Sequence, residues 1–200
     1  MIELVHIHKQ YGDRVVIDDL NLRVQDGEHL AITAPSGCGK TTLLHIIAGL
    51  TRADGGSVTG FAPSDICMLF QEVRLFERFS ALENVMAVQK GNRRERMAKA
   101  IFWLSQVELT REDMDKLPHQ LSGGQGQRVA LARALAAECP IVLLDEPFKG
   151  LDGETKAQIY ALCRRFLAGK TLLLVTHDEA DAHALDCRVL RFTTGMKQVE

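Results

Sequence analysis

A glycine-rich turn held between an apolar strand and an apolar helix constrains this 200-residue chain more than any other feature. Leu30-Ala31-Ile32-Thr33 reads as the strand. Ala34-Pro35-Ser36-Gly37-Cys38-Gly39-Lys40-Thr41-Thr42 is the turn, and Leu43-Leu44-His45-Ile46-Ile47 continues as a helix. Gly37 and Gly39 let backbone N–H groups turn inward and form a nest for anionic oxygens. The helix that opens there aims its positive end at the same place. Lys40 adds a mobile cation, and the Thr41 hydroxyl can reach a divalent ion such as magnesium. Ala34 stands where the pattern usually has glycine, so its φ is confined to values that an L-residue tolerates.

Around this unit the chain divides by period and punctuation. Ile2 to Ile7 predicts a strand, residues 9–13 a turn, and Val15 to Val24 a strand or strand pair kinked near Asp18-Asp19. Asp26-Gly27 carries a hairpin signal. The helix after the glycine turn runs to Ala48, with Gly49 as its cap. Short strands follow at 57–59 and 66–70. From Gln71 to Gln120 no strand pattern appears. Ser80 with Glu83 opens a helix to about Gln89, and Arg93 to Val107 forms another with a basic, solvated face. Later come a helix at 125–137, a continuous apolar strand at 140–144, a helix at 154–168, a strand at 171–176, a helix at about 178–185 and a strand at 187–192. The last eight residues have no pattern. Strands alternating with helices predict an α/β fold with an open, mostly parallel sheet. The expected division is a core of residues 1–71 and 121–200, including an antiparallel N-terminal β part, and an inserted helical subdomain at 72–120.

Composition narrows the classes. The hydrophobic share of 46% suffices for one full core. A net charge of −2 offers no basic footprint for nucleic acid. No apolar stretch approaches bilayer length, and the N-terminus lacks a signal-peptide layout, so a cytoplasmic chain, soluble by itself and meeting a membrane only through a partner, is expected. The five cysteines are widely spaced, with no CxxC pair, which disfavours disulfide and metal readings. Cys38 differs from the others. At a helix N-terminus near Lys40 it is expected to favour thiolate, and to be alkylated with loss of activity unless nucleotide protects it.

Two further stretches carry chemistry. Asp145 and Glu146 stand where a hydrophobic strand stops, a costly place for paired carboxylates unless they have a task. Beside a phosphate loop, Asp145 would hold magnesium and Glu146 would polarise the attacking water; the alternative is a helix-capping acid pair. In Leu121-Ser122-Gly123-Gly124-Gln125, Ser122 can cap the following helix while the glycines leave its N–H groups uncovered, a second anion-binding helix start.

At this pentapeptide the chain resembles the ATP-binding cassette family, over nearly its whole length. Tyr11, the glycine loop, Gln71, the pentapeptide, Ile141 to Phe148, Gly150-Leu151-Asp152 and His177 all follow in the family's order. The resemblance implies an ATP-hydrolysing P-loop NTPase. In it the loop from Ala34 to Thr42 cradles the phosphates, with Lys40 on the β- and γ-phosphates, Thr41 on magnesium and Thr42 on the α-phosphate. It implies that Tyr11 stacks on adenine, the alternative being a hairpin core residue. Gln71 joins the magnesium site to the helical subdomain. His177 touches the γ-phosphate; from its position alone it could equally be a polar cap. Asp152 faces a partner subunit. Ser122, Gly123, Gly124 and Gln125 would bind ATP held by a second copy, so that two chains close over two nucleotides. Gly126 departs from the bulkier residue common there.

The same resemblance implies separate membrane permease subunits as partners at the cytoplasmic face of the membrane, with Phe76 and Phe79 near the groove that receives them, the alternative being that either is a core residue. An extracytoplasmic solute-binding protein is a further candidate partner, and direct nucleic-acid binding is not expected. Leu117-Pro118-His119-Gln120 and Asp145-Glu146-Pro147-Phe148 look most like importers of the nitrate, sulfonate and taurine group. A small exporter or lipoprotein-releasing cassette, or a soluble cassette acting on nucleic acid or the ribosome, are the alternatives.

Overall fold

The structure, a computed structural model, describes residues 1–193, 196 and 198–199, the last two by backbone alone. Its strands are β1 (Ile2–Tyr11), β2 (Arg14–Val24), β3 (His29–Thr33), β4 (Gly55–Thr59), β5 (Ile66–Leu69), β6 (Ile141–Asp145), β7 (Thr171–Thr176), β8 (Arg188–Phe192) and β9 (Gln198–Val199). Its helices are α1 (Lys40–Ile47), α2 (Ala81–Met86), α3 (Arg93–Gln106), α4 (Arg111–Met114), α5 (Gly123–Ala136), α6 (Gly153–Leu167) and α7 (Glu179–Ala184). Two compact units result. The first holds residues 1–68, 139–146 and 167–200; the second holds 69–138 and 147–166.

The first unit has two sheets. One is antiparallel in the order β2-β1-β4; the other runs β5-β6-β7-β3-β8-β9. Parallel pairing joins β6 to β7, β7 to β3 and β3 to β8. β6 and β7 are buried along their whole length, which explains their unbroken apolar sequences. One hydrophobic core unites Leu4, Ile17 and Leu22 of the antiparallel sheet, Leu43, Leu44 and Ile47 of α1, and Leu143 and Leu173 of the parallel sheet. α1 ends as expected, with Gly49 at φ 71° and the Leu50 N–H donating to the His45 carbonyl.

Several boundaries differ from expectation, each for a physical reason. The hairpin turn lies at Gly12-Asp13, not Asp26-Gly27. β1 continues through residues 9–11 until Tyr11 pairs with Arg14. Asp26-Gly27 instead passes the chain between sheets, because β3 is flanked on both edges by β7 and β8 and has none free for β2. The kink at Asp18-Asp19 is a bulge region, with Asp19 at φ 53° opposite shifts in the β1 register. α2 stops at Met86, short of Gln89, and α5 begins at Gly123, two residues early. The patternless C-terminus contributes β9, antiparallel to β8; the remainder of that expectation, at 194, 195, 197 and 200, lies outside the described residues.

In the second unit α2, α3 and α5 pack on one another around buried Val85, Trp103, Leu104, Leu131 and Leu135. Trp103 also meets Phe166 of α6, with ring centroids 4.4 Å apart. Residues 72–120 hold α2 to α4 and a 3-10 turn, and no strand.

Candidate active site

In a parallel sheet the loops after neighbouring strands gather along the strands' carboxyl edge. Here β6, β7 and β3 end flush, with Asp145 opposite Val175 and Thr33 opposite Thr176. That edge therefore brings together the glycine loop, the Asp145-Glu146 pair and His177, residues far apart in the chain.

The loop depends on two left-handed glycines, Gly37 at φ 75° and Gly39 at φ 112°. A methyl group on Gly39 would meet Val16 Cγ1 at 2.7 Å, so that position needs glycine twice over. Ala34 keeps a negative φ, which is why alanine is accommodated. Arg14, which the sequence did not single out, braces the loop by donating from Nη2 to the Gly37 carbonyl at 2.7 Å. The buried Lys40 ammonium donates to the carbonyls of Ala34 at 2.6 Å and Pro35 at 3.2 Å. It thus lies across the loop, held by two carbonyl dipoles, a fit for phosphate oxygens.

The Thr41 hydroxyl donates to Asp145 Oδ2 at 2.7 Å. Asp145 Oδ1 is buried and has no hydrogen-bond partner. Burial pushes this carboxyl above the usual range; the Thr41 hydrogen bond opposes the rise, Glu146 adds to it, and His45 and Lys40 also oppose it. An orphaned carboxylate oxygen beside a threonine hydroxyl is a donor set suited to Mg²⁺. Thr41 and Asp145 would hold the ion, which when bound supplies positive charge next to the phosphates.

Glu146 adopts φ 50°, a strained value for a side chain of this size, and its N–H donates to the Val175 carbonyl at 2.9 Å. Its Oε2 lies 2.7 Å from His177 Nδ1. The glutamate is nearly buried while the imidazole is largely exposed, so the pair spans the step from interior to solvent. His177 therefore does more than cap α7, a task that falls to Asp178 through its bond to the Ala180 N–H.

Tyr11 is 52% exposed, with Lys9 Nζ 5.1 Å from its ring centroid, so it is not a hairpin core residue. Cys38 reverses an expectation. Its side chain is only 3% exposed and lies in the core, with Sγ 3.9 Å from Met196 Sδ. The covered sulfur is closed to alkylating reagents in this conformation, so the structure does not support nucleotide-protected inactivation through Cys38.

In the second unit Gln71 is exposed just past β5. Ser122 caps α5 reciprocally with Gln125: the Gln125 N–H donates to Ser122 Oγ at 3.2 Å and the Ser122 N–H to Gln125 Oε1 at 2.9 Å. Gly123 and Gly124 form the first helical positions and leave that N-terminus bare. Gly126 is explained by Val73, whose Cγ1 would lie 3.3 Å from an added methyl. Asp152 accepts from the Thr155 N–H and hydroxyl at 3.0 and 2.8 Å, and these bonds hold its carboxyl below the usual range.

Asn84 is a second residue that sequence reading missed. It is fully buried, accepts from the Phe76 N–H at 2.8 Å and donates to the carbonyls of Phe76, Phe79 and Ser80. Arg133 adds a bond to Asn84 Oδ1 at 3.2 Å and another to the Arg74 carbonyl. This network fixes the loop that leaves Phe76 and Phe79 half exposed, their rings 5.4 Å apart. Only a buried polar residue at the hydrophobic face of α2 could have signalled it.

The family model described as ABC transporter matches residues 17–149. The aliphatic sulfonates import ATP-binding protein SsuB 1 of Rhodococcus jostii is 44% identical over 198 residues, covering 96% of this chain and 79% of the relative. The SsuB protein of Pectobacterium atrosepticum is 43% identical, covering 94% and 73%. A sulfate/thiosulfate import ATP-binding protein, CysA 1 of Chromobacterium violaceum, is 39% identical over 97% of this chain, which spans only 59% of that relative. Among solved structures, the dimeric structure of a bacterial ABC transporter cassette superposes with a TM-score of 0.91 at 32% identity, over 100% of this chain and 98% of the other. A post-hydrolysis state of that cassette, bound to ADP and Pi, gives 0.90. With the glycine loop, the Thr41–Asp145 pair and the Glu146–His177 pair gathered on one sheet edge, the chain belongs to the ATP-binding cassette transporter family and is an ATP-hydrolysing cassette.

Proposed function

We propose that this cassette powers import of a small oxyanionic solute, of the sulfonate or sulfate class, through separate membrane permease subunits. The observation that carries the catalytic part is the sheet edge where an orphaned Asp145 oxygen lies beside Thr41 and where Glu146 meets His177. The names of the sulfonate and sulfate import relatives support the cargo class. Among the described residues no helix is long and apolar enough to cross a membrane.

Lys40 and the loop N–H groups bind the phosphates, Thr41 and Asp145 hold Mg²⁺, and Tyr11 offers its exposed ring to the base. Glu146 takes the proton of the attacking water, with His177 orienting its carboxylate and reaching the γ-phosphate. Catalysis here is positioning and charge stabilisation, as phosphoryl transfer requires. Ser122 and Gly124 present the bare α5 N-terminus to nucleotide held by a second copy, which makes the working unit a dimer. The 72–120 segment carries the mechanical output, with Gln71 at its base and the Phe76–Phe79 surface toward the permease.

Steady-state hydrolysis with Glu146→Gln tests the assignment. The expected loss in kcat is about 100-fold or more with nucleotide affinity nearly unchanged. A variant that turns over at the wild-type rate contradicts Glu146 as the base.

A further inference from the structure

All five cysteines carry free thiols. Cys38 lies in the core. Burial pushes the Cys163 thiol up to about 12, and burial with the Asp186 carboxylate does the same to Cys187. Cys67 and Cys139 are different. β5 and β6 are neighbours in the sheet. Cys67 is the second residue of β5, Cys139 stands two residues ahead of β6, and their side chains hydrogen-bond to each other. Cys67 is buried, whereas Cys139 is only partly covered and reaches solvent. The bond to Cys139, and then burial, hold the Cys67 proton in place, with Lys170 opposing. Cys139, the one that solvent reaches, is thus the sulfur that reacts first.

We propose that Cys67 and Cys139 are a peroxide-oxidisable dithiol, a modification site at the amino ends of β5 and β6. The Cys139 thiolate attacks one oxygen of a hydroperoxide. An S–O bond forms, the O–O bond breaks, and the departing hydroxide or alkoxide takes up a proton. The Cys67 sulfur then attacks the Cys139 sulfenic acid. The S–S bond forms, the S–O bond breaks, and the Cys67 proton leaves with the hydroxide as water. Two electrons pass from the thiols to the peroxide, and a small dithiol reverses the step by exchange.

The position gives the bond a consequence. The chain enters the second compact unit after Met68 and returns from it at Cys139. The disulfide would therefore tie together the two stems of the whole 69–138 segment.

The test treats the full chain with hydrogen peroxide, blocks remaining thiols with iodoacetamide and maps the peptides by mass. The proposal expects Cys67 and Cys139 to lose alkylation together in one linked peptide within a single chain, at least about tenfold faster than Cys187 reacts. Dithiothreitol should restore both. Cys67→Ser should leave Cys139 to advance to sulfinic acid, and Cys139→Ser should leave Cys67 unreacted. Phenylarsine oxide on the untreated protein should bind once per chain and shield the same two residues. Sulfinic acid at Cys139 of the wild-type chain without a link, links only between chains, or unreacted thiols would overturn the proposal.

Discussion

Glu146 at φ 50° shows how much of this site is decided at single positions. The strain is held by the Val175 carbonyl on one side and His177 on the other, and it aims the carboxylate off the end of β6. Two glycine-loop substitutions separate conformation from chemistry. Gly39→Ala forces a methyl against Val16 at φ 112° and should destabilise the apo protein by about 1–3 kcal/mol in urea unfolding, with loss of nucleotide binding. Ala34→Gly, at a position with ordinary φ, should change stability by less than about 1 kcal/mol. Thr41→Val removes the hydroxyl that donates to buried Asp145 and should cost about 1–3 kcal/mol even without nucleotide. The loop residues and the carboxylate pair were legible in the sequence because their chemistry needs fixed spacing. The Cys38 side chain was not, because helix position says nothing about which way a thiol points when the loop packs on a core.

At the level of elements, reciprocal caps define where helices begin. Ser122→Ala should cost about 1 kcal/mol through the lost α5 cap, measurable by denaturation in the absence of ATP. α4 makes a pH-dependent case. The Lys116 and Thr110 bonds hold the Asp113 carboxyl at about 2. An acid depressed in the folded state stabilises above its unfolded pKa, near 4, and loses that contribution as pH falls through the folded value. Wild-type stability should therefore decline between about pH 4 and 2, and Asp113→Asn should flatten that limb of the urea midpoint profile. Helix caps such as Ser80–Glu83 were readable because they are local. The Gly12-Asp13 hairpin was misplaced because strand partners are chosen across the sheet: Asp-Gly at 26–27 has turn chemistry, but β3 already had two partners.

Across the whole molecule, what sequence could not supply was long-range pairing. Nothing in the spacing of Cys67 and Cys139, or of Asn84 and Arg133, announces that they meet. The ordered string of motifs carried the fold because each motif is a local strand, turn and helix unit. On the function proposed above, one chain would hold half of each nucleotide site, the Ala34–Thr42 loop needing the Ser122–Gln125 helix start of a second copy. Size-exclusion chromatography with light scattering on Glu146→Gln, with and without Mg-ATP, tests this directly. A dimer is expected only with ATP, and a monomer when Gly124→Asp is added, although that double variant still binds ATP with similar affinity. An ATP-bound dimer that survives Gly124→Asp, or a mass indifferent to nucleotide, would contradict it.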